Sequence, residues 1–320
     1  MSSEKLTPVM KQFRDVKEKH PDKIILFRMG DFYETFFDDA KIAAKLLGIT
    51  LTARNKSDAD APALAGFPYH ALDSYLDKLV KAGQKVVIVE QMEDPKFAKG
   101  VVKRDIVEII TPGAILDEKF LSGSNNNFLG SVFISIEKSE ENIVDHTHFM
   151  KNSKNTCGIA LLDLSTGDFL FTELPFQGLR DELLRQKPKE ILVENAQARA
   201  LVDDLSLDYE YSLSINENWH YDLNEANEVL KKHFQIHTLE SIGAKNKKYA
   251  TISAAAALAY IKELRKEELK HINSISYYSL DSYMVVDETT RRNLELFQSM
   301  RNVTRQGSLL DVLDETRTPM

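Results

Sequence analysis

The chain is short of several things, and each shortage narrows what it does. One cysteine, Cys157, stands among 320 residues, which excludes an internal disulfide and suits a reducing compartment. No apolar run approaches the roughly eighteen residues of a membrane span, and Met1-Ser2-Ser3-Glu4-Lys5 has no apolar signal core. A cytoplasmic location with no membrane partner is expected. Positive charge is also short, 41 Lys+Arg against 49 Asp+Glu for a net −8, which argues against a non-specific nucleic-acid coat. No G-x-x-x-x-G-K-[ST] phosphate loop occurs, so no ATP site, and no cofactor of any kind, is expected within these residues.

What is present is ample core: 43% of the residues are hydrophobic, enough for two domains. Charge is unevenly placed. Residues 1–115 hold 18 basic and 17 acidic side chains, and the remainder holds 23 and 32, so a neutral first part precedes an acidic second part.

Residues 5–19 carry Leu6, Val9, Met10, Phe13 and Val16 at helical spacing, with Thr7 as cap, Pro8 at the first helical position and His20-Pro21 as the stop. Ile24-Ile25-Leu26-Phe27 reads as a strand covered on both faces, and Gly30-Asp31 is turn punctuation. Asp38 is placed to cap a helix from Asp39 to Leu47, with Gly48 past its end. Ile49-Thr50-Leu51-Thr52 alternates as a strand. A polar loop, Arg54 to Asp60, follows; its cations Arg54 and Lys56 could reach a phosphate backbone, against the commoner alternative of a solvated loop. A helix from about Leu72 to Ala82 and strands at Lys85–Glu90 and Arg104–Ile110 complete a mixed α/β domain.

The stretch Phe32-Tyr33-Glu34 sits where the buried strand turns. In an extended segment, positions i and i+2 place the Phe32 ring and the Glu34 carboxylate on one side. A phenyl ring pushed between base steps kinks DNA at a cost of roughly a few kcal/mol per step, least where stacking is already defective. A carboxylate beside it is poorly placed for ordinary duplex, yet it can accept from a base N–H or, protonated, donate to one. Taken alone, the commoner reading of such a triplet is a core aromatic beside a surface acid.

The surroundings decide. Thr7-Pro8-Val9-Met10, Phe27-Arg28-Met29-Gly30-Asp31-Phe32-Tyr33-Glu34, Asp38-Asp39-Ala40, Ala65-Gly66-Phe67-Pro68-Tyr69-His70-Ala71, Glu90-Gln91 and Thr111-Pro112-Gly113, in that order, resemble the mismatch-recognition domain of the MutS family of DNA mismatch repair proteins. The resemblance implies that Phe32 stacks on a mispaired base and Glu34 hydrogen-bonds it, within mismatched double-stranded DNA. It draws Tyr69 and His70 in as a buttress for the reading turn, and Leu64, read in the same loop, as a further DNA contact. A neutral head on an acidic body binds DNA weakly by electrostatics, so another clamp is implied.

Residues 116–127, with three consecutive asparagines, read as a linker. Beyond it come strands at Phe128–Ile136, Thr156–Leu164 and Phe169–Glu173, a charged loop from Glu137 to Lys154, a helix around Phe176–Arg185, the strand Ile191-Leu192-Val193 and an Ala-rich helix from Thr251. This pattern resembles the ribonuclease-H-like connector domain of the same family, and Tyr283 to Leu296, with Asp287 capping a helix, resembles the entry to the family's helical core. The fold class expected is therefore α/β: two mixed α/β domains and a short helical segment. The boundaries expected are 1–117, a linker at 118–127, 128–271, and 272–320 as the start of a core that continues elsewhere, with residues beyond about 300 poorly packed. The family also implies a MutL-type partner on the connector, and homodimerisation and an ATPase with magnesium through parts not in this sequence.

Two other constellations compete. Asp163, with Asp168, Glu137 and Glu194 near other strand ends, raises a metal-dependent nuclease, which needs several convergent acids for metals about 4 Å apart; the alternative is that Asp163 and Asp168 serve a turn. His146, His148 and Cys157 fall short of the four ligands of a structural zinc site, so no metal and no catalytic residue is expected. A pure interaction module is the third reading.

Overall fold

Unbroken apolar runs such as Ile24–Phe27 and Val86–Val89 are buried inside their sheet, and the alternating run Arg104–Ile110 takes an edge of it. The computed structural model describes residues 7–53, 62–93, 100–116, 126–135, 155–216, 219, 221–265, 269–280, 286, 288–302 and 304–316, in two compact units, Met1–Pro112 and Gly113–Met320. Both units are mixed α/β, each built on one six-stranded sheet.

In the first unit, β1 (Ile24–Met29) pairs antiparallel with β2 (Phe32–Phe36) and parallel with β5 (Val86–Gln91). On the far side of β2 lie β4 (Ala63–Pro68) and the two-residue β3 (Thr52–Ala53), and beyond β5 lies β6 (Arg104–Ile110). Helix α1 (Pro8–Lys19) begins as expected, with Thr7 accepting from the Met10 N–H at 3.4 Å. Its buried Phe13 meets Phe27 and Phe36 edge-on, centroids 5.9 and 5.0 Å apart, a favoured aromatic geometry.

Helix α2 (Phe37–Leu47) departs from the expectation that Asp38 caps it. Phe36 occupies the N-cap without a side-chain bond, and Asp38 sits in the first turn, reaching Lys41 at 2.8 Å. The neighbouring Asp39 turns inward, where it takes the Ile25 N–H at 3.1 Å and Lys17 at 2.7 Å. Burial pushes its carboxyl up against the pull of Lys17. Gly48 closes the helix at φ 68°, as expected. The strand expected at 49–52 shrinks to β3, because only Thr52 and Ala53 find partners on β4. Helix α3 (Leu72–Lys81) ends before Gly83, whose φ of 75° continues no helix.

The second unit starts from a meander of β7 (Phe128–Ile134), β8 (Thr156–Asp163) and β9 (Phe169–Pro175). Two parallel strands, β10 (Glu190–Val193) and β11 (Ser212–Ile215), extend the sheet from β7, and β12 (Ser276–Tyr277) adds to β9. A three-strand meander extended by parallel strands on its first member is the arrangement the ribonuclease-H-like reading expects. Helices α4 (Leu179–Gln186) and α5 (Ala196–Asp203) close one core, around Ile159, Leu161, Leu183, Ile191 and Leu201. Helix α6 (Leu223–Phe234) packs with α7 (Lys248–Leu264), the Ala-rich helix, which is buried through Ala254–Leu258. A Cβ on Gly158 of β8 would stand 2.0 Å from the Tyr249 carbonyl oxygen, so a glycine lets α7 lie this close.

The helix expected at 176–185 divides into a single tight turn, Phe176–Gly178, and α4. Lys187 in the left-handed region ends it before Pro188. Near the C-terminal end come α8 (Glu288–Asn293) and α9 (Leu309–Leu313), and Leu294, Phe297, Met300, Leu309, Val312 and Leu313 are exposed. The whole loop expected at Glu137–Lys154, with His146 and His148 in it, and Arg54, Asp287 and linker residues 117–125 lie outside the described residues.

Candidate nucleic-acid interface

Two residues with left-over chemistry share one face of β2. Phe32 is 46% exposed, although burying a phenylalanine stabilises a fold by roughly 1.5–3 kcal/mol. Tyr33, one position on, is 3% exposed and packs into the opposite side near Phe67, with ring centroids 6.1 Å apart. Glu34, half-buried, returns to the Phe32 side. The alternation expected of an extended Phe-Tyr-Glu is thus what the strand displays.

Register brings other residues beside them. Across β2 and β4, Phe32 stands opposite Pro68, Glu34 opposite Gly66 and Phe36 opposite Leu64. Leu64 was expected in a loop and is instead a strand residue, because the run Ala63–Pro68 pairs along the whole of β2. An open groove of about 450 Å³ is lined by Phe32, Glu34, Leu64, Gly66 and, from the chain after α2, Gly48, Ile49, Thr50 and Thr52. The structure therefore brings Phe32, Glu34 and Leu64 together, while Arg54 lies outside the described residues.

Gly66 is a residue whose role was missed in the sequence. A Cβ there would stand 2.8 Å from the Tyr33 carbonyl oxygen and 3.3 Å from Glu34 Cγ, so only glycine keeps the space over the carboxylate clear. The available signal was a glycine inside a strand, which marks close backbone approach. Arg104 was missed too. Its guanidinium lies 5.1 Å from the centre of the Phe27 ring, and Phe27 is the β1 partner of Glu34. Burial lowers the Arg104 pKa while the Glu34 charge holds it up, so the two sense each other. The guanidinium also donates to the Arg28 carbonyl at 2.8 Å and the Val102 carbonyl at 3.0 Å.

The competing acids of the second unit are differently placed. Asp163 is 1% exposed, and its carboxylate accepts from Asn127 N–H at 2.7 Å, Ser165 N–H at 2.9 Å, Ser165 Oγ at 2.6 Å and Thr166 N–H at 3.3 Å. It is a turn-builder, with Asp168 beside it taking a backbone bond across the same hairpin. Among the described residues no group of three or more His, Cys, Asp or Glu is placed to hold a metal. Cys157 is fully buried on β8, its Sγ 3.5 Å from the Leu174 carbonyl, and burial first, then the charge of Glu173, pushes its thiol up. No helix among the described residues is long and apolar enough to cross a membrane.

Residues 7–119 match the family model for MutS domain I and residues 143–273 that for MutS domain II. DNA mismatch repair protein MutS of Salinibacter ruber is 39% identical over 315 residues, covering 98% of this chain and 33% of that protein. The protein of the same name from Phocaeicola vulgatus is 41% identical over 315 residues, with 98% and 34% covered, and that of Methanococcoides burtonii 40% over 325 residues, with 99% and 34%. The chain spans about one third of the length of these relatives.

Proposed function

This chain belongs to the MutS family, and on that premise we propose that it reads mismatched or unpaired bases in duplex DNA as part of mismatch repair. The observation that carries the reading is the pairing of an exposed Phe32 with Glu34 on one face of β2, over a groove that Gly66 keeps open. A duplex kinks at the lesion, Phe32 stacks on the mispaired base, and Glu34 hydrogen-bonds its edge. Leu64 lines the same groove and Arg54 reaches the backbone. Unstacking costs a few kcal/mol at an ordinary step and less at a defective one. Discrimination is therefore mainly a difference in deformation energy, which is indirect readout.

In this reading residues 1–117 are the mismatch reader, 118–127 a linker, 128–271 a connector and 272–320 the first part of a helical core. The connector's excess of acidic residues suits a protein partner better than a phosphate backbone, and a MutL-type protein is the partner the family implies. Homodimerisation and the ATP and magnesium chemistry belong to other parts of the full-length relatives, so this stretch binds DNA without a catalytic residue or cofactor of its own. The setting is the cytoplasm, where Cys157 stays reduced.

The test is a low-salt anisotropy titration against a duplex with one unpaired thymine and its fully paired counterpart. The chain prefers the lesion, and Phe32→Ala abolishes that preference. An unchanged preference in Phe32→Ala removes Phe32 from the reading role.

A further inference from the structure

The turn that presents Phe32 is only two residues long: Met29 pairs with Phe32, and Gly30 and Asp31 form the loop. Gly30 has φ 60° and Asp31 is not in the left-handed region, the pattern of a type II′ hairpin turn. Such a turn at a sheet end needs support if the ring it carries is to enter a stack of bases at a fixed angle.

The support lies behind the sheet. Arg28 and Tyr33 are register partners, one position along each strand from Phe27 and Glu34, and so project on the opposite face from the reading pair. The Arg28 Nε donates to the Gly30 carbonyl at 2.5 Å, and its Nη1 lies 3.5 Å from Glu90 Oε1. The same Glu90 oxygen accepts from the Tyr33 hydroxyl. The guanidinium also stacks 4.0 Å from the centre of the Tyr69 ring. Tyr69 closes the circuit by donating its backbone N–H to the Asp31 carbonyl at 2.9 Å. Burial, together with the Glu90 charge, pushes the Tyr33 phenol up, so its hydroxyl remains a donor wherever the protein works. Both carbonyls of the turn, Gly30 and Asp31, are thereby tied to the Arg28–Tyr69 pair.

We propose that Arg28 is a positioning residue for mismatch reading: with Glu90, Tyr33 and Tyr69 it forms a latch that holds the Gly30-Asp31 turn, and hence the Phe32 ring, in one orientation. This rests on the Phe32 reading above and adds to it the reason the ring is rigid. A guanidinium bonds a backbone carbonyl and a carboxylate through separate nitrogens while its delocalised face sits over an aromatic ring; lysine's ammonium can bond both acceptors, as Lys17 does with the Lys23 carbonyl and Asp39, but has no planar face to lay over the ring.

The experiment compares the chain with Arg28→Met and Arg28→Lys by amide hydrogen exchange at Tyr69, the urea midpoint, and affinity for lesion and paired duplexes. In Arg28→Met, Tyr69 amide exchange rises about tenfold at an unchanged urea midpoint, a local opening. Lesion affinity falls about fivefold while paired-duplex affinity is kept, as expected of lost orientation. Arg28→Lys lies between. Unchanged Tyr69 exchange in Arg28→Met overturns the latch, and faster exchange with full lesion preference overturns its role in reading. If the unsubstituted chain shows no lesion preference, the Phe32 reading fails and the role in reading falls with it, while the exchange result still supports or overturns the latch.

Discussion

Phe32 on the hairpin of the first unit and Asp163 on the hairpin of the second are opposite solutions to one problem, how to use a side chain at the end of a strand. Asp163 is buried and fully engaged: four donors converge on its carboxylate, and folding consumes everything it can offer. Phe32 is 46% exposed, and the fold forgoes about half of its burial. The same contrast runs through the surroundings. Buried Glu190 takes the Gly113 N–H, Ser214 Oγ and Tyr260 OH, and buried Glu182 takes Arg185, Gln186 and Tyr278. The lesson is that an acid at a strand end signals chemistry only when the fold leaves it room, as Gly66 does for Glu34.

The contrast breaks most visibly if the interior of the second unit is open. Cys157 lies in that core with its thiol pushed up by burial, and reaction needs both access and a thiolate. Alkylation of the native chain is expected to be about a thousandfold slower than in urea, given an opening free energy of about 4–5 kcal/mol. A native rate within tenfold of the unfolded one contradicts a sealed core.

Next in size is Asp163→Ala, which strands buried donors and is expected to cost about 3 kcal/mol, read as a lower urea midpoint. With magnesium present the unsubstituted chain leaves duplex DNA intact; cleavage that Asp163→Ala abolishes would restore the nuclease reading. Gly66→Ala sharpens the comparison from the other side. Its methyl meets the Tyr33 carbonyl and crowds Glu34, an overpacking cost of about 1–3 kcal/mol, and lesion preference drops along with stability. The smallest effect is the most telling: Phe32→Ser lowers stability by only about 1 kcal/mol, because about half of the side chain is already in water.

Much of this was legible in the sequence where the signal was local. The two-residue period of Phe32-Tyr33-Glu34 placed the ring and carboxylate on one face, and Thr7-Pro8 marked the start of α1. What was not legible depended on register between distant segments. Leu64, named through the resemblance but placed in a loop, and Gly66, whose role was missed, line the groove because β4 pairs with β2 across some thirty residues, and Arg104 reaches Phe27 from the edge strand β6. Asp38 and Asp39 show the limit of cap rules: both residues qualify, and the Ile25 N–H and Lys17 decided which one turned inward. The elements α5, β11 and α6 were not foreseen, being short or interrupted by polar residues.

The most direct test of the central claim measures two quantities on the same two variants. The urea midpoint and the ratio of lesion to paired-duplex affinity are determined for Phe32→Ala and Asp163→Ala. The account predicts a crossover, in which Phe32→Ala loses little midpoint and all of the ratio, and Asp163→Ala, below its unfolding transition, keeps the ratio and loses far more midpoint. A Phe32→Ala chain that unfolds early, or that still prefers the lesion, contradicts it.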